Sequence, residues 1–182
     1  MTETLARTAD GGVVRVQRIA SPRGAQVDSL TASPGLSPRS HVSRNPGRSV
    51  DLQFSPRGVP RGVSGTYADA GATPVAIDDA LGGPAFDSGM IDLIARAVPL
   101  EVGFGATAQT YERASAGAGE TGAVYTVRVL RRETLNGREA AVVEYARGGG
   151  GATRSWVDVE TRALLRLESD VAPGVTLLIE PS

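Results

Sequence analysis

Short runs of alternating apolar and polar residues dominate the chain, and this pattern predicts β-strands joined by turns. The first run, 13–19, reads VVRVQRI. The tetrapeptide SPRG at 21–24 follows it, and the run 25–33 then returns as its partner strand. Proline presets the backbone of a turn and glycine supplies a positive φ, so we expect a hairpin here. The same tetrapeptide recurs at 55–58, after the strand-like run 48–54.

The segment between these hairpins, residues 33–49, is rich in proline and in polar residues. Proline cannot donate a hydrogen bond to a sheet, so the composition predicts a loop or an irregular edge segment broken by prolines. Two short strands are expected after it, at 62–67 and 74–77.

One helix is predicted in the middle of the chain. Met90, Ile94 and Val98 recur at helical spacing, Asp87 or Ser88 can cap the start, and Pro99 ends the pattern. We expect about ten helical residues.

After the helix the chain again consists of strand-like runs and turns, with Asn136–Gly137 as the strongest hairpin signal. Closely spaced strands without intervening helices predict an antiparallel meander. Apolar residues alternate with charged ones in its strands, so one face of the sheet is expected to be apolar and the helix is expected to cover it.

Composition removes several chemistries. The 182 residues contain no Cys, and the sequence has no Lys, so thiolate, Schiff-base and phosphate-loop lysine mechanisms are excluded. A single His cannot by itself build a His-rich metal site, and no cofactor or metal is expected. The net charge of −1 does not favour nucleic acid as a partner.

No run of apolar residues is long enough to predict a transmembrane segment, and the first residues do not resemble a signal peptide. Taken literally this pattern predicts a cytoplasmic protein. A start that has lost a signal peptide and a first strand remains an open alternative.

Three short motifs suggest chemistry, but each has a simpler structural explanation. The glycines of GAGETG, residues 117–122, fit a dinucleotide-binding pattern, yet a strand and not a helix is predicted after them. The DSG tripeptide that starts at Asp87 is typical of aspartic proteases, which need a second carboxylate, and here it opens the helix as caps do. The pair Asp78–Asp79 lacks the further acidic residues of a cation site.

His41 and Trp156 are the remaining candidates. His41 is a potential general base for Ser40 or Ser43, but no carboxylate is close in sequence, so a surface histidine is the default. Trp156 precedes a hairpin tip, where it either plugs the sheet core or forms the wall of an apolar pocket; the first role is favoured.

The stretch YTVRVLRRETLNGREAAVVEYARGGGGATRSWVDVETRALLRLES, residues 125–169, resembles bacterial envelope domains of unknown function. Upstream, FDSGMIDLIARAVPLEVGFGATAQTY resembles their helix, the Pro-Leu and Gly after it, and the next strand. The pattern is similar to the outer-membrane lipoprotein-sorting superfamily, over about Asp51 to Glu180. This resemblance implies a curved antiparallel half-barrel with a helix on its concave face, residence in the periplasm or cell envelope, and acyl chains of lipids or lipoproteins as ligands.

We therefore expect a single domain over 1–182, mainly β, with one curved antiparallel sheet of about ten strands and one covering helix. The leading functional hypothesis is a non-enzymatic domain that binds an apolar ligand in a concave cavity between helix and meander. A scaffold with a filled core and a hydrolase that uses Asp87 are the alternatives. The oligomeric state is left open. The expected ligand-binding residues are Met90, Ile94, Val127, Trp156 and Leu165.

Overall fold

The computed structural model describes residues 1–21, 24–55, 62–113, 120–148, 150–172 and 174–181. These residues form fourteen strands, one α-helix (α1) and one short 3-10 turn, Ser88–Met90. The helix spans Ile91–Ala97. The strands are β1 (Thr2–Arg7), β2 (Val13–Ser21), β3 (Gly24–Ala32), β4 (Pro38–Asn45), β5 (Arg48–Phe54), β6 (Gly62–Asp69), β7 (Val75–Ala80), β8 (Phe86–Asp87), β9 (Gly105–Glu112), β10 (Glu120–Leu135), β11 (Arg138–Arg147), β12 (Ala152–Asp158), β13 (Leu164–Ala172) and β14 (Val175–Ile179).

The mainly β character is confirmed, but the expectation of one sheet of about ten strands is wrong. The described strands form two seven-stranded sheets, the first in the order β1 to β7 and the second in the order β14 to β8. In each sheet, strands that follow one another along the chain lie side by side, which is the arrangement that short hairpin connections favour. Strands β8 and β9 instead pair in parallel, and the chain between them contains α1. The number of sheets was not visible in the sequence, because each turn specifies only its own pair of strands.

The chain divides into two compact units, and these units share the two strands β9 and β10. The first unit contains residues 1–89 and 110–122, and the second contains 90–109 and 123–182. In the first unit, apolar side chains from one face of the first sheet pack with Tyr111 of β9 into a cluster whose other members are Val50, Leu52, Phe54, Val63, Tyr67 and Ile77. The ring of Tyr111 meets that of Phe54 edge to face, with 6.0 Å between their centroids.

In the second unit α1 packs against β11 and β12. The helix ends at Ala97, where Val98 leaves the helical conformation and donates its backbone N–H to Ile94, so the predicted stop before Pro99 is confirmed. Its first residue follows Met90, which makes no side-chain cap. Asp87 nevertheless accepts a hydrogen bond from the Gly89 backbone at 2.7 Å, so it caps the preceding 3-10 turn.

The prediction for residues 33–49 is also wrong, since β4 is a regular strand that pairs with β3 on one side and β5 on the other. The prolines do not interrupt it. Pro38 is its first residue, and Pro34 and Pro46 lie in the turns on either side, where a missing N–H costs no ladder bond. A first strand is present as well: β1 pairs with β2 along its whole length.

The Asn136–Gly137 hairpin is confirmed. Both residues have positive φ, 51° and 77°, as a type I′ turn requires, and Leu135 pairs with Arg138 across it. The SPRG hairpin closes with Ser21 opposite Gly24, while residues 22–23 lie outside the described part. So do residues 56–61, which include the last three of the second SPRG, and residues 114–119, which include the first three of GAGETG.

Candidate functional site

The first unit contains a cavity of about 620 Å³. It lies at the end of the first sheet where the β3–β4 turn, the end of β5 and the start of β6 come together. The segment that links β7 to β8 supplies another wall. Twelve described residues line this space: Ser33, Ser37, Pro38, Arg39, Gln53, Phe54, Ser55, Gly62, Leu81, Pro84, Ala85 and Phe86. The walls therefore combine aromatic, proline and aliphatic surface with a few hydroxyl and amide groups.

The polar side chains that line the cavity come from the β3–β4 turn, from the start of β4 and from the end of β5. Arg39 is paired with Asp10, and both side chains are about half exposed, 43% and 52%. Solvent screens such a pair, so it adds little to the stability of the fold. This ion pair holds the pKa of Asp10 far below its usual range, mainly through the hydrogen bond from Arg39. The Ser33 hydroxyl accepts a hydrogen bond from the Ser37 backbone at 3.0 Å, which shapes the turn.

A second feature of the same unit is a buried cluster around His41. Its Nε2 atom lies 3.2 Å from Asp28 and its Nδ1 atom lies 3.0 Å from Asp87. Asp87 is 2% exposed. The sequence had predicted a surface histidine in a loose loop, and that prediction is wrong because His41 is on the inner face of β4.

The two carboxylates determine the charge of this histidine. Burial by itself lowers the pKa of His41, but the hydrogen bonds and charges of Asp28 and Asp87 outweigh it and raise the pKa to about 9. For Asp28, burial raises the pKa, but hydrogen bonds from His41, Ser43 and Gln26 lower it by more, so the net shift is downward. At neutral pH the ring is thus an imidazolium that donates from both nitrogens.

An imidazolium with both N–H groups engaged cannot accept a proton from a serine hydroxyl. Asp87 in turn accepts from His41 and from the Gly89 backbone. Its arrangement differs from an aspartic dyad, in which two carboxylates share one proton without a histidine between them. Among the described residues no group of three or more His, Asp or Glu has the geometry of a metal site.

The sequence did contain a signal for this cluster. In β3 the residues Asp28, Leu30 and Ala32 alternate on one face, and all three are buried. A carboxylate on an otherwise apolar strand face needs a polar partner inside the fold. Which residue provides it depends on how β3 and β4 pair, and that was predicted incorrectly for 33–49.

The five expected ligand-binding residues all lie in the second unit. Met90 and Val127 are fully buried, Trp156 is 4% and Ile94 is 8% exposed, and Leu165 is partly buried. Among the described residues, Leu165 packs on the cluster formed by Ala140, Val142 and Trp156. The structure thus brings Trp156 and Leu165 together.

Strand register separates Trp156 from Val127. Trp156 is opposite Val142, and Val127 is opposite Tyr145. Because successive side chains of β11 alternate between faces, Val142 and Tyr145 point to opposite sides of the sheet. The five residues therefore do not line one common surface.

Trp156 is held by polar as well as apolar contacts. Its indole N–H donates to Glu133 at 2.5 Å, and the guanidinium of Arg166 lies 5.5 Å from the ring centroid. The ring packs with Ala140 and Val142. These contacts agree with the favoured interpretation of this residue as part of the sheet core.

Comparison with known proteins gives a family but no function. The DUF3108 model, described as a protein of unknown function, matches residues 2–180, so the chain belongs to the DUF3108 family. No curated protein matches the chain, and neither does any solved structure. No helix in the described part of the chain has the length and apolar character needed to span a membrane.

Proposed function

We propose that this member of the DUF3108 family binds an apolar ligand in the cavity of its first unit and does not catalyse a reaction. The observation that carries the proposal is the cavity of about 620 Å³. Sites for small organic ligands typically measure about 300–1,000 Å³ and combine apolar walls with a few orienting polar groups.

The lining chemistry supports an amphiphilic ligand. Phe54, Phe86 and Leu81 offer large apolar surfaces, while Gln53 and Ser37 offer hydrogen-bonding groups. Burial of an alkyl chain against such walls contributes roughly 0.8 kcal/mol per methylene group. A chain of moderate length therefore gains enough free energy for binding without any charged contact.

An enzymatic role has less support than binding. The groups that the sequence offered for hydrolysis, His41 and Asp87, bind each other in a buried cluster. Neither is among the described residues that line the large cavity. A ligand in that cavity would therefore not meet them.

The resemblance to the lipoprotein-sorting superfamily supports one choice of ligand and location. It implies lipid or lipoprotein acyl chains in the periplasm or cell envelope, and a cavity with apolar walls suits such chains. We include both in the proposal. No nucleic acid partner is proposed, since the net charge is only −1.

Titration with the neutral fluorescent probe N-phenyl-1-naphthylamine, and then with a fluorescent fatty acid, tests the proposal. We expect saturable binding at one site. Ala85→Trp places an indole in the cavity and should weaken binding at least about tenfold, because the ligand loses the space it needs. Leu178→Trp is the matched control, since Leu178 is 54% exposed on β14, and it should bind as the natural protein does.

Two results would contradict the proposal. Absence of saturable binding would favour a scaffold with no ligand. Loss of binding in Ile94→Trp, with normal binding in Ala85→Trp, would instead place the site beside α1, where the sequence alone had suggested it.

A further inference from the structure

The segment Leu81–Phe86 runs from the end of β7 to the first residue of β8 and forms one wall of the cavity; we name it the strap. Four of its six residues line the cavity: Leu81, Pro84, Ala85 and Phe86. Gly82 and Gly83 lie between them, and a side chain added at either would meet no atom within 4 Å. The backbone at these two glycines therefore faces open space, whereas Leu81 and Ala85 pack against the apolar cluster of the first unit.

At its first end the strap continues from β7, whose last residue Ala80 pairs with Gly62 of β6. At its second end Phe86 and Asp87 pair in parallel with Thr110 and Tyr111 of β9. This second pairing covers only two residues. Such a short ladder supplies few backbone hydrogen bonds, so side-chain contacts must help to hold that end.

The His41 cluster provides polar contacts of this kind, in addition to the apolar packing of Ala85. Asp87 directly follows Phe86 of the strap, and its carboxylate accepts a hydrogen bond from His41 Nδ1 at 3.0 Å. Two residues later, the Gly89 carbonyl accepts a hydrogen bond from Arg15 of β2 at 2.7 Å. A Cβ on Gly89 would come within 2.8 Å of the Asp87 carboxylate and 2.9 Å of the His41 ring, so the backbone approaches the cluster as closely as glycine allows.

We propose that His41, acting through Asp87, positions the strap and thereby retains the ligand in the cavity. This inference rests on the proposed function. His41 is a positioning residue here, since it reaches the ligand only through the strap. Asp28 plays a different role, because it binds the other nitrogen of the ring and is connected to the strap only through His41 in the contacts given above.

The anchor should weaken when His41 loses its proton. The charged groups that face it are Asp28 from β3 and Asp87 from β8, with Arg15 of β2 nearby, and Arg48, Glu112 and Arg113 line a small space of about 70 Å³ beside the ring. Arginine stays protonated throughout the accessible pH range. The raised pKa of His41, about 9, makes it the group whose titration changes the anchor.

The test compares Asp87→Ala with Asp28→Ala in the full chain, using the dissociation rate of N-phenyl-1-naphthylamine. Each variant removes one carboxylate from His41, but only the first removes the strap anchor. Because Asp28 helps to raise the pKa of His41, the rates are compared at pH 6, below the ordinary pKa of histidine, so that loss of Asp28 does not by itself remove the proton. At equal fractions of folded protein we expect about tenfold faster dissociation for Asp87→Ala and less than a twofold change for Asp28→Ala. Asp87→Asn keeps an oxygen that can accept hydrogen bonds from both His41 and Gly89. Its dissociation rate should therefore lie within about threefold of the rate of the natural protein.

The pH dependence of the dissociation rate gives an independent readout. A cluster that only stabilises the fold would not make this rate depend on the protonation of His41. In the natural protein the dissociation rate should rise with a midpoint near pH 9, and the rise should disappear in His41→Gln. If Asp87→Ala does not fold, this profile decides. Equal rates in both alanine variants, or a rate that does not depend on pH between 7 and 10, would overturn the inference while leaving probe binding intact. Failure of the natural protein to bind the probe would overturn the proposed function as well.

Discussion

At the scale of single residues, the most informative side chain is His41. It sits between two carboxylates on the inner face of β4, with 14% of its side chain exposed. Folding therefore moves this ring from water into a site that stabilises its charged form. The pKa rises from an ordinary value near 6.5 to about 9, so the folded state holds the proton more tightly than the unfolded state.

This shift predicts how stability depends on pH. Below pH 6.5 both states carry the proton and the full contribution, roughly 3 kcal/mol, is present. Between 6.5 and 9 the unfolded state has released the proton and the folded state has not, so stability falls as pH rises, and the contribution is lost above 9. Urea unfolding of the natural protein and of His41→Gln from pH 6 to 10 measures this. If the free energy of unfolding fell equally with pH in the two proteins, the raised pKa of His41 would be refuted.

At the scale of elements, hairpin turns determine the local pairing. Asn136–Gly137 connects β10 and β11 with two residues of positive φ. Asparagine tolerates this conformation and glycine has no Cβ to clash, so the pair suits a type I′ turn, whose twist matches that of the strands. The sequence was sufficient to predict this hairpin for that reason.

We predict that Gly137→Ala costs about 1 kcal/mol in the free energy of unfolding, because alanine is sterically strained at positive φ. Gly35→Ala is the matched control. Gly35 is also in a turn, has no neighbour within 4 Å of an added Cβ and lacks a positive φ. Its substitution should change stability by less than about 0.5 kcal/mol. Urea denaturation compares the two, and a similar loss in both would contradict the turn assignment.

At the scale of the whole molecule, the path of the chain links the two units. Strand β9 starts in the second unit and ends in the first, and β10 starts in the first and ends in the second. Tyr111, which is fully buried in the first unit, therefore lies on the same strand as residues of the second. Shared strands are expected to make unfolding cooperative, because neither unit can lose its part of a strand independently.

Two probes can test this cooperativity. Trp156, the only tryptophan, reports on the second unit, and far-UV circular dichroism reports on both sheets. We expect the two transitions to coincide in the natural protein. Tyr111→Ala removes a buried ring from the first unit, at a cost of about 3–5 kcal/mol, and should lower the midpoint seen by Trp156 as well. A Trp156 transition that stays in place would show that the units unfold separately.

Local patterns in the sequence were sufficient to predict the mainly β class, most strands, the helix with its stop at Pro99 and the Asn136–Gly137 hairpin. These features follow from contacts between near neighbours along the chain, so apolar periodicity and turn residues record them. The regular strand β4 was missed because its inward residues, His41 and Ser43, are polar, and polar residues beside prolines are typical of loops.

The tertiary structure alone decided that the strands form two sheets, that His41 joins Asp28 and Asp87, and that the cavity lies in the first unit beneath the strap. Each of these depends on segments distant in sequence. These segments are brought together by the burial of one face of each strand. The pattern of apolar residues along the chain is compatible with many different strand pairings. Only the packing of all side chains at once selects among those pairings.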